Sequence, residues 1–224
     1  MFDQIILIDK PAEMTSFGVV ARVRRILSEK AGKKIKVGHT GTLDPFATGL
    51  LILMTGKNTK KCQEFLKKDK RYEATLKLGW TSTTGDPEGE LESRSVETPP
   101  TVSAIKQALK TFQGEITQTV PRFSAVKIDG RRAYDLARKG QEVEMPTRKV
   151  IIYEINLLDY SFPYLKIDCK VGSGTYIRSL AEDIGQNLGT GAYLTALRRT
   201  EIDRYKVEDA LPLDLWMQEN SCQE

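Results

Sequence analysis

Three short segments of the chain bring together groups that could act on a substrate. The first is GHTGTLDPFATGLL, Gly38 to Leu51, in which three glycines and three threonines surround one carboxylate, Asp44. Glycines at that density let the backbone turn tightly and come close to a ligand. Asp44 precedes Pro45, so the same residues also read as an ordinary Asp-Pro turn. The second segment, GSGTYIRSLAEDIG from Gly172 to Gly185, puts Arg178 in the first turn of an expected helix if Thr175 is its cap. A cation there opposes the helix dipole and requires an acidic partner. Glu182, one turn on, is the local choice, and Asp44 is the functional one. A carboxylate held against an arginine in a partly buried site stays ionised, as a nucleophile or general base must. The third segment is KRYEATLKLG, Lys70 to Gly79, where Tyr72 opens the inward face of a strand. Core packing and stacking on a flipped base are both open to it.

Several other chemistries are excluded by composition. His39 is the only histidine, so a His-rich metal centre and the two-histidine zinc-protease motif cannot be built. As a lone histidine it reads either as a structural group or as a donor to a phosphate or base. Cys62, Cys169 and Cys222 are too few and too far apart for a disulfide framework or a zinc knuckle. Gly49 to Asn58 fails as a phosphate loop, because six residues separate Gly49 from Gly56 and Asn58 stands where Ser or Thr must bind magnesium. Gly189-Thr190-Gly191 is half a dinucleotide fingerprint, and no G-x-S-x-G elbow occurs.

The pattern of apolar residues sets the elements that must position these groups. Ile5 to Ile8 reads as a short strand, followed by a helix capped by Thr15 or Ser16 with Val20, Val23 and Leu27 at helical spacing. Gly38 to Gly49 reads as a structured loop, Leu50 to Met54 as a strand and Thr59 to Lys68 as a basic helix. From Tyr72 the chain alternates strictly, with Tyr72, Ala74, Leu76 and Leu78 on one face. A polar stretch from Thr81 to Pro100 holds a short strand near Leu91 to Val96. A helix capped by Thr101 then carries Val102, Ile105, Leu109 and Phe112 on one face. Residues from about 117 to 149, with a turn at Asp129-Gly130, read as a basic insertion. Strands follow over Val150 to Asp159 and Leu165 to Val171, then a helix with Ile177, Leu180, Ala181, Ile184 and Leu188 on one stripe. A strand over Ala192 to Ile202 and an acidic helix around Leu213 to Met217 close the chain. Alternating strands with a few amphipathic helices imply an α+β fold on a largely antiparallel mixed sheet, flanked by helices and loops.

The 224 residues, 40% hydrophobic and 29% charged, suit an ordinary globular chain, here expected to form a single domain over 1–224. No apolar run is long enough for a membrane span, and the acidic-flanked start MFDQIILIDKP is neither a signal nor a transit peptide, which points to the cytoplasm. The formal charge of +4 conceals net charges of +10 over residues 22–71 and +4 over 122–149, against −4 over 72–101 and −5 over 200–224. Such asymmetry suits a face turned to a polyanion, and a solvated lysine-rich surface is the plainer alternative.

Six segments in order, KPAEMTSFGVV, GHTGTLDPFATGLL, KRYEATLKLG, PRFSAVKIDGRRAYDLARKG, GSGTYIRSLAEDIG and AYLTALRRTEI, resemble the TruB-type family of tRNA pseudouridine synthases. The resemblance covers nearly the whole chain and implies the pseudouridine-synthase catalytic fold. It implies conversion of uridine 55 in the tRNA T loop to pseudouridine by base flipping, with no cofactor and no metal. Asp44 would be the nucleophile, attacking either C6 of the base or C1′ of the ribose. Tyr72 would stack on the uracil, and Arg178 would pair with Asp44. His39, with its neighbours Thr40 and Gly41, would contact the everted nucleotides, and Leu197 would lie beneath the base. Lys10 and Pro11 would support the site, with Lys10 also counted near the RNA. Arg131 and Arg132 lie in the insertion that would fold over bound RNA. The partner implied is the T stem-loop of tRNA, with no DNA and no membrane, bound by a monomer. Glu13 stands where the family usually has glycine, Gly18 where it has aspartate, and TEIDRY replaces the usual Ser-Gly-x-Phe. The family's C-terminal PUA-like domain is expected to be missing. Two other readings compete: an RNA chaperone of similar fold that does no chemistry, and a synthase for another RNA or a guide-RNA particle.

Overall fold

The computed structural model describes residues 2–124, 126–128, 130–138, 140–141 and 143–221; Asp129 and Cys222 fall outside them. In chain order the elements are β1 (Ile5–Lys10), α1 (Ser16–Ala31), β2 (Val37–His39), β3 (Thr48–Thr55), a 3-10 turn (Gly56–Lys61), α2 (Cys62–Leu66), β4 (Lys70–Leu78), β5 (Trp80–Ser82), β6 (Leu91–Ser93), α3 (Val102–Thr111), β7 (Gly114–Thr119), β8 (Lys127–Ile128), β9 (Arg131–Arg132), α4 (Ala133–Arg138), β10 (Thr147–Ser161), β11 (Tyr164–Val171), α5 (Ile177–Asn187), β12 (Ala192–Ile202), β13 (Tyr205–Lys206), β14 (Leu211–Pro212) and α6 (Leu213–Asn220). Two compact units result, residues 1–73 with 197–224, and residues 74–196. Their boundaries fall inside β4 and β12, so each of those strands begins in one unit and ends in the other.

The first unit is built on β3. Its sequence TGLLILMT has no polar alternation because the strand is covered on both faces. β1 runs antiparallel along it, with Ile5 opposite Met54 and Lys10 opposite Gly49. On one face Leu51 and Leu53 meet Ile6, Ile8, the Val19, Val20, Val23 and Leu27 stripe of α1, and Trp216 of α6. On the other, Leu50 and Ile52 meet Ile202 and Val207. Each such side chain contributes roughly 1.5–3 kcal/mol when fully buried. α1 starts where Thr15 accepts a 2.9 Å hydrogen bond from the Gly18 N–H, and ends at Gly32 with φ +61°. β12 joins β3 in parallel, placing Arg198 opposite Thr48 and Arg199 opposite Gly49.

In the second unit the strand order is β12-β4-β11-β10-β7, with β10 antiparallel to both β11 and β7. The alternation of KRYEATLKL is reproduced in burial, every second residue from Lys70 to Leu78 facing inward. α3 packs on β10 and α5 on β7. The α+β architecture with mostly antiparallel pairing therefore stands. Four local readings change. His39 and Gly38 belong to strand β2, pinned antiparallel to β3, rather than to a loop. The basic helix divides into a 3-10 turn and the short α2. Val102 is exposed, and Ala108 takes its place on the buried face of α3. Tyr176, not Thr175, is the N-cap of α5, because the Thr175 hydroxyl donates back to the Gly172 carbonyl at 2.9 Å.

Glu13 has φ +61°, a left-handed conformation that a Cβ makes costly. The glycine that the family resemblance places there is thus the physically favoured residue. Glu13→Gly should raise the unfolding free energy by up to about 1 kcal/mol, the relief of strain exceeding the added chain entropy; a urea titration showing lower stability would contradict this account.

Candidate active site

The Asp44 loop is fastened by buried side chains of β1, α1 and β12. Lys10, at the end of β1, has no solvent exposure, and its ammonium donates to the carbonyls of Pro11 (2.7 Å), Met14 (2.6 Å) and Pro45 (3.1 Å). The buried Ser16 hydroxyl at the start of α1 donates to the Leu43 carbonyl at 3.0 Å and accepts from the Leu43 N–H at 2.8 Å. Asp44 then opens a turn closed by the Ala47 N–H to its own carbonyl, 3.1 Å. The Asp-Pro turn and the candidate nucleophile are therefore the same residues, since the turn is what presents the half-buried Asp44 side chain. From the other side Arg199, 1% exposed, donates from Nε to the Leu50 carbonyl (2.8 Å) and from Nη2 to that of Gly41 (3.1 Å). Charge-assisted bonds of this kind contribute about 1.5–3 kcal/mol each, which offsets taking the cations out of water.

The position of Gly49 explains why the loop ends on glycine. Its φ is +102°, and a Cβ there would lie 2.3 Å from the Arg199 carbonyl oxygen. Thr40 is fully buried, its N–H bonded to the Ile52 carbonyl at 3.1 Å, and Gly41 is buried too. Lys10, Thr40 and Gly41 are thus all buried within or beneath the loop. Tyr72, at 8% exposure, and Leu197, at 7%, are nearly enclosed on β4 and β12. Next to Leu197, Arg198 holds Asp9 in a two-point ion pair, 3.0 and 2.6 Å.

His39 accepts a 3.3 Å hydrogen bond at Nδ1 from the Gly41 N–H, which only a neutral imidazole can do. Burial, and then the charge of Arg199, hold its pKa below the usual value of 6.5. The same two causes bring Lys70 down to about 8, and its ammonium donates to the Leu66 carbonyl at 2.8 Å.

In the second unit Arg178 occupies the second position of α5 and is 6% exposed. Nη1 meets Asp86 Oδ2 at 3.3 Å and donates to the Thr84 carbonyl at 2.9 Å, while Nη2 donates to the Phe123 carbonyl at 2.9 Å. Asp86 is in turn oriented by the Thr84 hydroxyl at 2.5 Å and the Glu88 N–H at 3.0 Å. The acidic partner required by a cation near a helix N-terminus is thus present, and it includes a residue that sequence reasoning missed. The polar run TSTTGD gave no sign beyond its turn residues. Gly85 has φ +73°, and a Cβ there would lie 3.3 Å from Arg178 Cβ, so glycine suits the close approach of this loop to α5. Glu182 itself is pushed up to about 7, chiefly by burial and then by Asp183, with Arg178 opposing. A cavity of about 820 Å³ opens here, its walls including Thr84, Phe123, Ser179, Glu182 and Asp183. Arg131 and Arg132 are exposed on β9, the Arg132 guanidinium lying 5.8 Å from the Tyr134 ring centroid.

Two measurements check this electrostatic arrangement. The single histidine should titrate in an NMR pH series with a midpoint below 6.5, and a midpoint at or above that value would contradict the geometry. Because the folded value is the lower one, His39 contributes stability that is present above pH 6.5 and lost as the pH falls through the folded midpoint. Asp86→Ala leaves the buried Arg178 without that carboxylate and should cost on the order of 3 kcal/mol in denaturant unfolding; a change under about 0.5 kcal/mol would show the pair to be dispensable.

Comparison with known proteins bears on the whole chain. Residues 24–177 match the family model described as TruB family pseudouridylate synthase (N terminal domain), and residues 178–218 match the tRNA pseudouridylate synthase B C-terminal domain. A tRNA pseudouridine synthase B from Phocaeicola vulgatus is 45% identical over 225 residues, covering 99% of this chain and 96% of the relative. The protein of that name from Parabacteroides distasonis is 48% identical over 200 residues, 89% of this chain and 85% of its own. Among solved structures, a chain of a Cbf5-Nop10-Gar1 complex matches at TM-score 0.72 and 31% identity over 95% of this chain, which spans 54% of that one. Another, from an H/ACA RNP bound to a substrate RNA containing 2′-deoxyuridine, matches at 0.69 and 28%, over 98% and 56%. Matched on sequence over almost its full length and on fold in both units, the chain belongs to the TruB family of pseudouridine synthases.

Proposed function

We propose that this enzyme isomerises uridine 55 in the T stem-loop of tRNA, acting as a monomer in the cytoplasm, with Asp44 as its nucleophile. The observation that carries the assignment of Asp44 is the rigid loop: Lys10, Ser16 and Arg199 fix the backbone on both sides of one half-buried carboxylate. The reaction breaks the N1–C1′ bond, turns the uracil within the site and joins C5 to C1′, the C5 proton leaving as N1 gains one. The product is an isomer, so one nucleophile suffices and no water has to be activated, unlike in the two-carboxylate glycosidases. Both C6 of the base and C1′ of the ribose are electrophilic enough for a carboxylate to attack.

Tyr72 stacks on the flipped uracil, Leu197 supplies an apolar contact, and Arg178 completes the set taken from the family resemblance. Flipping costs a few kcal/mol, which stacking at about 1–3 kcal/mol per base and phosphate contacts must offset. The exposed Arg131 and Arg132, and the net +10 over residues 22–71, supply those phosphate contacts. The neutral imidazole of His39 offers a donor at Nε2 to the everted nucleotides.

The decisive comparison is Asp44→Asn against the unaltered protein on a T-arm transcript, with pseudouridine mapped by mass spectrometry. The variant should lose at least about 1,000-fold in rate while binding RNA within a few-fold of the original. Retained turnover in the variant would remove Asp44 from the mechanism. Tight binding by the unaltered protein with every uridine left intact would instead establish an RNA-remodelling module.

A further inference from the structure

Arg199 does something that neither the family resemblance nor the motif reading assigns to it. It sits on a strand rather than in the loop, yet its guanidinium spans the loop's entry and exit: Nη2 reaches the Gly41 carbonyl at 3.1 Å, Nη1 that of Thr42 at 3.5 Å, and Nε that of Leu50 at 2.8 Å. Those carbonyls lie on either side of Asp44 in the chain. The strand register supports the arrangement, because parallel pairing of β12 with β3 sets Arg199 opposite Gly49. Only glycine fits there, since a Cβ would overlap the Arg199 backbone, and a Cβ on Gly41 would lie 3.5 Å from Nη1.

We infer that Arg199 is a positioning residue for the uridine isomerisation, a buried strut whose planar fork sets the register of the Asp44 loop and so the place of the nucleophile. This rests on the reading of Asp44 given above. A guanidinium presents its N–H groups in one plane at fixed angles, so it can hold three carbonyls in a fixed mutual arrangement. An ammonium in the same place keeps the charge and loses the fork. The charge has an effect of its own at the loop, since it adds to burial in holding both His39 and Lys70 below their usual pKa values. Arg199 therefore has a mechanical effect and an electrostatic one, and the two can be separated.

Arg199→Lys keeps the charge and removes the fork. Its kcat on a T-arm transcript should fall at least tenfold with KM changed less than threefold, and the His39 midpoint should stay below 6.5. Arg199→Met removes both, and the His39 midpoint should rise toward 6.5. Ile202→Val, a buried change on the same strand, serves as a control that lowers stability without moving kcat. A kcat within twofold of the original in Arg199→Lys, or an equal fall in the Ile202 control, would overturn the proposal. Should neither arginine variant fold, the unaltered protein still decides the matter. Resolved, exchange-protected Nη2 and Nε protons of Arg199, with couplings through hydrogen bonds to the Gly41 and Leu50 carbonyls respectively, support the strut, and averaged signals refute it. Asp44→Asn run in parallel separates the two readings. An active Asp44→Asn defeats the nucleophile assignment, whereas an inactive one beside a fully active Arg199→Lys defeats only the strut.

Discussion

A loop that presents a carboxylate to a substrate must hold its own backbone carbonyls without help from a sheet or helix, and here buried cations provide that hold. Lys10 takes the carbonyls of Pro11, Met14 and Pro45, and Arg199 those of Gly41, Thr42 and Leu50. Neither cation is accessible to solvent to any useful degree, so each depends on those carbonyls as much as the loop depends on it. The requirement is reciprocal: loosening the loop strands a buried charge, and removing the charge strands several buried acceptors. The core of β1, β3, α1 and α6 matters to the site chiefly because it fixes where Lys10 and Ser16 begin their reach.

The second unit applies the same device to a different charge. Arg178 near the start of α5 is balanced by Asp86 and by the carbonyls of Thr84 and Phe123, while Gln118 exchanges two hydrogen bonds with the Tyr176 backbone, 3.2 and 3.1 Å, where α5 has no side-chain cap. The beginning of the basic insertion is thereby tied to the turn of helix that carries Arg178. Phe123, near the start of the same segment, is one of that arginine's acceptors.

Local pattern was enough for elements whose periodicity matches their environment. The strand over Ala192 to Ile202, the Thr101 cap and the alternation from Tyr72 to Leu78 all follow from spacing, because each rests on one buried face or one hydroxyl. Of the two cap candidates Thr15 and Ser16, the structure selects Thr15. The misreadings have an equally physical origin. Thr175 has the chemistry of a cap, but its hydroxyl found the Gly172 carbonyl first. Val102 has the right helical spacing, yet the helix presents Ala108 to the core in its place. Gly38 and His39 lack any strand periodicity and become a strand because β3 offers them an edge.

The sequence by itself determined which residues could carry chemistry: a solitary Asp44 among glycines, an arginine near a helix start, one histidine, and a family order that spans the chain. It also determined the α+β class, since alternation and helical spacing are properties of neighbours along the chain. Only the tertiary structure decided what holds those residues. Nothing in AYLTALRRTEI singles out Arg199, which parallel pairing with β3 sets against Gly49. Asp86 lies unmarked in the polar stretch from Thr81 to Pro100, and the fold brings it to Arg178. For Lys10 the family resemblance implied a supporting role, and the tertiary structure decided its partners, the carbonyls of Pro11, Met14 and Pro45. In each case the partner lies dozens of residues away or is a backbone carbonyl, and neither distance along the chain nor the identity of a side chain records where a carbonyl will point.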